Sequence, residues 1–240
     1  MKFGRQEVRT PAVCGAVIGN SVEEMKKVAG WAVRDGAGLI ELRIDGLRGR
    51  TGWERLLKGK LPVIVTNMSK REGGFFQGSD KERTEELMRG VELGASCIDL
   101  ELSTPPGLRS QVIKNAKRKG VSTIVSHHNF SGTPEPAQLL KIADKIAATG
   151  CDIVKIVAAA KDRKDALRMM DFIVQTQGRL EIPVIAFSMG DTGIITRFIG
   201  PIFGSPLVYA AAGKRTAPGQ LDVSATKALL RELMPEEVSD

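Results

Sequence analysis

Residues 120–158 read GVSTIVSHHNFSGTPEPAQLLKIADKIAATGCDIVKIVA. A β-branched apolar run closes on Ser126-His127-His128-Asn129, and a loop carrying Gly132 and Pro134 follows. Leu139, Ile142, Ala143 and Ile146 then recur at three- and four-residue spacing, which places them on one face of a helix. The chain returns directly to a second apolar run around Lys155. Strand, helix and strand in this order form a crossover unit whose two strands run parallel.

The unit repeats outward in both directions. Apolar runs fall at 11–19 (PAVCGAVIG), 38–45 (GLIELRID), 61–67 (LPVIVTN), 96–102 (SCIDLEL), 182–189 (IPVIAFSM) and 205–211 (SPLVYAA). With 120–128 and 151–158 they make eight. Further helical faces are predicted at Val22, Met25, Val28 and Ala32, at Leu167, Met170, Ile173 and Val174, and at Ala225, Ala228, Leu229 and Leu233. Ser21-x-x-Glu24 and Ser79-x-x-Glu82 have the capping-box pattern, and Thr133-Pro134 predicts a cap before a first-turn proline. Eight units in 240 residues leave about 30 each, as a closed (β/α)8 barrel requires. An open doubly wound sheet is the competitor, but its phosphate loops, GxGxxG and GxxxxGK[ST], are both missing. No linker or composition shift divides the chain, so residues 1–240 are expected to form one α/β domain, a TIM barrel.

Composition narrows the class. Apolar residues are 42% and charged residues 26%, which excludes a disordered chain. No apolar run approaches the ~18 residues of a membrane-spanning helix, so no membrane partner is expected. The three cysteines, Cys14, Cys97 and Cys151, are odd in number and far apart, and read as reduced thiols of a cytoplasmic protein. The opening MKFGRQEVRT lacks the apolar stretch of a signal peptide. Net charge is +7, but the basic residues are scattered and aromatics are only 5%. Stacking platforms for nucleic acid are therefore not expected, and a positive field favouring a small anionic substrate is.

Strands of a parallel barrel are covered on both faces and read as apolar runs; charges inside them carry information. Glu41 and Arg43 share a face with Leu39, and Asp99 and Glu101 share one opposite Ile98, Leu100 and Leu102. Pointing inward, these residues reach the barrel mouth, where active sites of this architecture lie. The competing reading has them pairing with one another as buried ion bridges, and for Asp99 and Glu101 that reading comes first. Lys155 has no acidic neighbour on its own strand. Burial then predicts a lowered pKa and a neutral amine able to attack a carbonyl carbon. The alternatives are a lysine snorkelling from the strand end or bridged to a carboxylate across the barrel. A histidine on the adjacent strand supplies the base that imine chemistry needs. The two histidines are adjacent and point to opposite faces, which argues against a metal site.

These residues resemble a known family. ELRID (41–45), the EGG of REGGFF (71–76), SHHNF (126–130), DIVKI (152–156), the MG-to-R stretch 189–197 and APGQL (217–221) are similar, in order and interval, to motifs of the type I 3-dehydroquinate dehydratases. The chain resembles the short archaeal forms of that family. The resemblance implies that Lys155 forms an imine with 3-dehydroquinate, that His128 is the general acid/base, and that Glu72 orients it. It implies substrate contacts from Glu41, Arg43, Arg197, Thr216, Gln220 and Met189, with His127 a packing residue. Thr216 stands where relatives often have serine. Met68 stands where many have arginine, with Lys70 or Arg71 as replacements. The iminium is the electron sink, so no metal, nicotinamide or pyridoxal cofactor is expected; a homodimer is. The rival enzyme is a class I lysine-imine aldolase, and the rival of another kind is a non-catalytic barrel binding an anionic metabolite.

Overall fold

The computed structural model describes residues 1–213 and 220–234. The chain begins with a hairpin for which the charge-rich first ten residues give no warning: β1 (Lys2–Phe3) pairs antiparallel with β2 (Gln6–Glu7). Phe3 is wholly buried and, with Val8, packs among Ala12, Cys14, Leu39 and Cys97. The hairpin thus plugs the barrel at the N-terminal ends of its strands.

Eight parallel strands follow: β3 (Ala12–Val17), β4 (Leu39–Arg43), β5 (Val63–Thr66), β6 (Cys97–Glu101), β7 (Ser122–Asn129), β8 (Ile153–Ala159), β9 (Val184–Met189) and β10 (Leu207–Ala211). Each matches one of the eight apolar runs. The ladder runs β10-β3-β4-β5-β6-β7-β8-β9. No ladder joins β9 to β10 among the described residues, and α6 (Ile194–Ile199) packs on both strands at that seam. The other helices are α1 (Val22–Arg34), α2 (Asp80–Glu92), α3 (Pro106–Lys119), α4 (Pro136–Ala147), α5 (Arg163–Thr176) and α7 (Val223–Leu233). Between β4 and β5 the chain turns through short 3-10 segments, Ile44–Gly46 and Trp53–Lys58, in place of an α-helix.

Alternation along the strands separates two cores. Val13, Ile40, Val65, Ile98, Val125 and Val154 face outward onto Met25, Leu87, Ile113, Leu139 and Ile173 of the helices. Cys14, Leu39, Ile64, Cys97, Ile124, Ile153 and Ile185 fill the interior. Local signals hold at several helix starts. Ser79 and Glu82 form the reciprocal capping box, and Ser21 Oγ accepts from Glu24 N–H. Thr133 does not cap α4; Glu135 holds the N-cap position without a side-chain hydrogen bond, Pro136 takes the first turn, and Thr133 Oγ1 donates to the Ala159 carbonyl.

One predicted helix face is half right and another misplaced: Ile173 of α5 is buried and Met170 packs against the core as expected, but the other two positions of that face are exposed. On α5 the buried residues are Asp165, Ala166, Met169, Phe172, Ile173 and Thr176, whereas Leu167 and Val174 are 69% and 48% exposed. On α7 Val223, Thr226 and Leu230 are buried and Leu233 is 40% exposed. Both helices are apolar over more than one stripe, so spacing alone admits two registers. Packing chose the one containing Phe172 and Val223.

Candidate active site

At the C-terminal ends of the strands the inward positions become polar. A cavity of about 250 Å³ opens there, lined by Glu41 and Arg43 of β4, Met68, Glu72, Gly73, His128 and Phe130, Lys155 and Val157 of β8, Phe187 and Met189 of β9, Arg197, Tyr209 and Gln220. Of the residues singled out from sequence, the cavity gathers Lys155, His128, Glu72, Glu41, Arg43, Arg197, Gln220 and Met189. Thr216 lies outside the described residues. Met68 is on the wall, but Lys70 and Arg71 are not: both are exposed, and Arg71 pairs with Asp80 at 2.7 Å. His127 points away from the cavity, into an outer cleft between the loops after β7 and β8.

Glu72 is set by the tight loop after β5. Within it the Glu72 and Gly74 N–H groups donate to the Ser69 carbonyl, and Phe76 N–H donates to that of Met68. Gly73 has φ +83°, and a Cβ there would lie 2.3 Å from the Phe130 ring, so a side chain at this position would push the ring out of the cavity wall. Glu72 Oε2 accepts from the His128 backbone N–H at 2.9 Å and lies 2.9 Å from the ring Nδ1. Ser103 Oγ donates to Glu72 Oε1 at 2.6 Å. Burial works to raise the Glu72 pKa, but the hydrogen bonds and charge of His128, with Ser103, outweigh it and hold the carboxyl below its ordinary value. A carboxylate only accepts, so Nδ1 of the neutral ring carries the hydrogen and Nε2 keeps its lone pair.

Lys155 corrects the sequence reading. Its Nζ lies 2.8 Å from Asp99 Oδ2 and 3.5 Å from Glu41 Oε1, all three side chains being buried. Burial alone would lower its pKa; the charges of Asp99 and Glu41 outweigh burial and hold it above the ordinary lysine value. The resting side chain is an ammonium, not a neutral amine. The sequence of β8 holds no counter-charge, but closing the sheet brings β4 and β6 across the interior to it. The expected bridges among Glu41, Arg43, Asp99 and Glu101 re-sort accordingly. Asp99 pairs with Lys155. Arg43 makes a bidentate pair with Asp45 at 2.9 and 2.8 Å. Asp45 also accepts from Phe75 N–H, tying the loop after β5 to β4.

Glu101 faces Arg83 of α2 at 3.1 Å and accepts from Ser69 N–H at 2.7 Å, which anchors the loop carrying Glu72. Burial raises its pKa to about 7, against the charge of Arg83 and with that of Glu72. A carboxyl whose folded pKa is raised contributes stability below its unfolded value of 4.5 and loses it as pH rises toward 7. Wild-type protein is therefore expected to lose up to about 3 kcal/mol relative to Glu101→Gln between pH 4.5 and 8. Urea unfolding of both proteins across that range checks this; parallel curves would contradict it.

Arg197 sits on α6 at 3% exposure, and burial lowers its pKa to about 10, still cationic at neutral pH. Ser103, Asp45, Arg83, Phe187 and Tyr209 escaped the sequence reading. Strand alternation offers Phe187, between Ile185 and Met189, and Tyr209, two residues after Leu207. Nothing in the local sequence marks Ser103, whose partner Glu72 lies on the loop after β5, or Arg83 of α2, whose partner Glu101 lies on β6.

The family model for type I 3-dehydroquinase matches residues 13–236. A 3-dehydroquinate dehydratase of Methanothermobacter thermautotrophicus is 37% identical over 94% of this chain and 98% of its own length. That of Methanosarcina barkeri is 36% identical over 96% and 98%. Among solved structures, a type I 3-dehydroquinate dehydratase of Clostridium difficile, bound to covalently modified comenic acid, superposes with a TM-score of 0.90 at 25% identity, covering 97% of each chain.

Proposed function

The chain belongs to the type I 3-dehydroquinase family, and from that premise we propose how its cavity carries out the reaction. The enzyme is a hydro-lyase of the shikimate pathway, converting 3-dehydroquinate to 3-dehydroshikimate in aromatic amino acid biosynthesis. Family membership also decides against an aldolase and against a non-catalytic barrel.

The observation that supports an imine route is the Lys155 ammonium on the wall of a cavity shared with the His128–Glu72 pair. Imine formation conserves charge: an ammonium and a ketone give an iminium and water. Asp99 and Glu41 therefore face one positive charge before and after the step, and stabilise both. Attack itself needs the amine lone pair, and Asp99 Oδ2, at 2.8 Å, is the nearest acceptor for the departing proton. The nitrogen adds to the ring ketone, and the carbinolamine oxygen leaves as water once protonated. His128 Nε2 then takes the proton from the adjacent carbon, whose electron pair is drawn toward the iminium. The protonated imidazole donates to the departing hydroxyl, and hydrolysis of the new imine frees the lysine. Glu72 keeps the ring in the tautomer this cycle requires.

Substrate contacts are assigned by charge and place. Arg197 grips the carboxylate, a task suited to its planar fork. Glu41 and Arg43 meet the ring hydroxyls, Met189 forms an apolar wall, and Gln220 completes the described lining after β10. Met68 leaves the wall apolar where many relatives carry arginine. The net charge of +7 favours approach of an anion. No metal or organic cofactor enters the scheme. Adding 3-dehydroquinate and following the conjugated enone absorbance of the product tests the activity; a flat trace with folded protein would overturn it.

A cytoplasmic location and a homodimer complete the reading. All three cysteines are free and buried, and suit a reducing compartment. Leu167 and Val174 of α5, Ile195 of α6, and Ile202 and Phe203 of the turn after it are 42–69% exposed on neighbouring elements, a patch fit to be covered by a second copy. Leu167→Glu is expected to sediment as a monomer and the wild type as a dimer; a monomeric wild type would contradict this.

A further inference from the structure

Each of the two cations the reaction needs is seated on an aromatic face. Lys155 Nζ lies 4.2 Å from the centroid of the Tyr209 ring, and Arg197 Cζ lies 4.3 Å from that of Phe187. The two rings touch, their centroids 5.9 Å apart and their planes inclined at 43°. They stand on inward positions of β9 and β10, 7% and 4% exposed.

Backbone ladders fix the spacing of the other strand-borne site residues, from Glu41 on β4 to Lys155 on β8. At the seam between β9 and β10 no ladder does so among the described residues. The ring pair spans that seam. One substrate ring must reach Arg197 with its carboxylate and Lys155 with its ketone, so the separation of those two cations is a catalytic dimension. We propose that Phe187 and Tyr209 are positioning residues, a paired aromatic floor that holds Arg197 and Lys155 at the spacing of the substrate's carboxylate and ketone. The inference rests on the roles given above to those two cations.

The physical basis is the ring quadrupole, which attracts a cation over its face and does so more strongly where water is excluded. An aliphatic side chain would fill the same space and leave both cations on an inert surface. The Tyr209 phenol stays neutral, since burial and the nearby Glu41 charge raise its pKa. Its ring face, not a phenolate, acts on the ammonium.

The two positions predict different kinetic signatures. Phe187→Leu loosens the carboxylate grip and is expected to raise KM about tenfold with kcat within about threefold. Tyr209→Leu loosens the nucleophile and is expected to lower kcat about tenfold with little change in KM. Tyr209→Phe keeps the ring face and should recover most of the lost kcat. If a leucine variant fails to fold, site-specific replacement of Phe187 by mono- and trifluorinated phenylalanine weakens the quadrupole at nearly constant shape, and KM is expected to rise with fluorine number. Equal losses in kcat and KM at both positions, Tyr209→Phe as impaired as Tyr209→Leu, or a KM indifferent to fluorination would each overturn the proposal. Borohydride trapping of substrate on the wild type runs alongside. An adduct on Lys155 with flat variant kinetics defeats the floor alone, whereas no adduct defeats the imine reading and the floor with it.

Discussion

Lys155→Ala is expected to abolish turnover and to destabilise the fold. The first effect follows from the proposed covalent step: without the amine there is no iminium, and no other described residue of the cavity wall carries an amine. The loss should exceed the ~10²–10⁴-fold that a single acid/base group contributes. The second follows from what stays behind. Asp99 and Glu41, 2% and 3% exposed, lose the ammonium they share. Breaking a buried ion pair by removing one partner costs about 3–5 kcal/mol. Part of this is recoverable by protonating the carboxylates, so the deficit should shrink as pH falls. Enone formation and urea unfolding at pH 5 and pH 8 measure the two effects. Residual turnover within a hundredfold of wild type, or an unchanged midpoint at both pH values, would contradict the roles given to Lys155, Asp99 and Glu41.

His128→Ala is expected to separate binding from chemistry. The iminium still forms, because Lys155, Asp99 and Glu41 are untouched, but the proton on the adjacent carbon has lost its acceptor and the departing hydroxyl its donor. The expected loss in kcat is about 10²–10⁴-fold, with substrate accumulating as the first imine. Rapid quenching with borohydride should thus label a larger fraction of His128→Ala than of wild type at steady state. Glu72 keeps the hydrogen bond from Ser103, so the loop after β5 should hold its place and the variant should stay folded. A loss below tenfold, or a variant that forms no adduct, would remove His128 from its role.

How far the sequence carried this account depends on the range of each interaction. All eight barrel strands were legible, because each is a run of apolar residues bounded by turn signals. The inward placement of Glu41, Arg43 and Asp99 was legible too, because alternation has period two, whereas the choice of His128 over His127 came from the family resemblance. What a strand cannot disclose is what stands across the barrel from it. Lys155 looked unpartnered on β8 and is held by β4 and β6, so its resting charge was misjudged. The same holds for Glu101, whose partner Arg83 comes from α2, and for Ser103, which reaches Glu72 on another loop. Helix faces erred where apolar residues exceed one stripe. Leu167 and Val174 on α5 satisfied the spacing rule and yet face outward, since nothing in a period distinguishes a core stripe from a surface one.

The correction at Lys155 changes the starting point of the chemistry and keeps its course. A nucleophile stored as an ion-paired ammonium must shed a proton on the way to the carbinolamine, and the carboxylate beside it can receive that proton. The same carboxylates then neutralise the iminium, the intermediate that makes the neighbouring C–H acidic. On the proposed route one arrangement of charge serves the resting state and the iminium alike, a use for the two acids buried beside Lys155.

The covalent bond proposed between the Lys155 nitrogen and the substrate is open to direct observation. Reduction of the working enzyme with borohydride in the presence of 3-dehydroquinate, followed by peptide mass analysis, should find the added mass on the peptide containing Lys155 and on no other lysine. An unmodified Lys155 peptide from protein that was turning substrate over, or the adduct on a different lysine, would contradict the account.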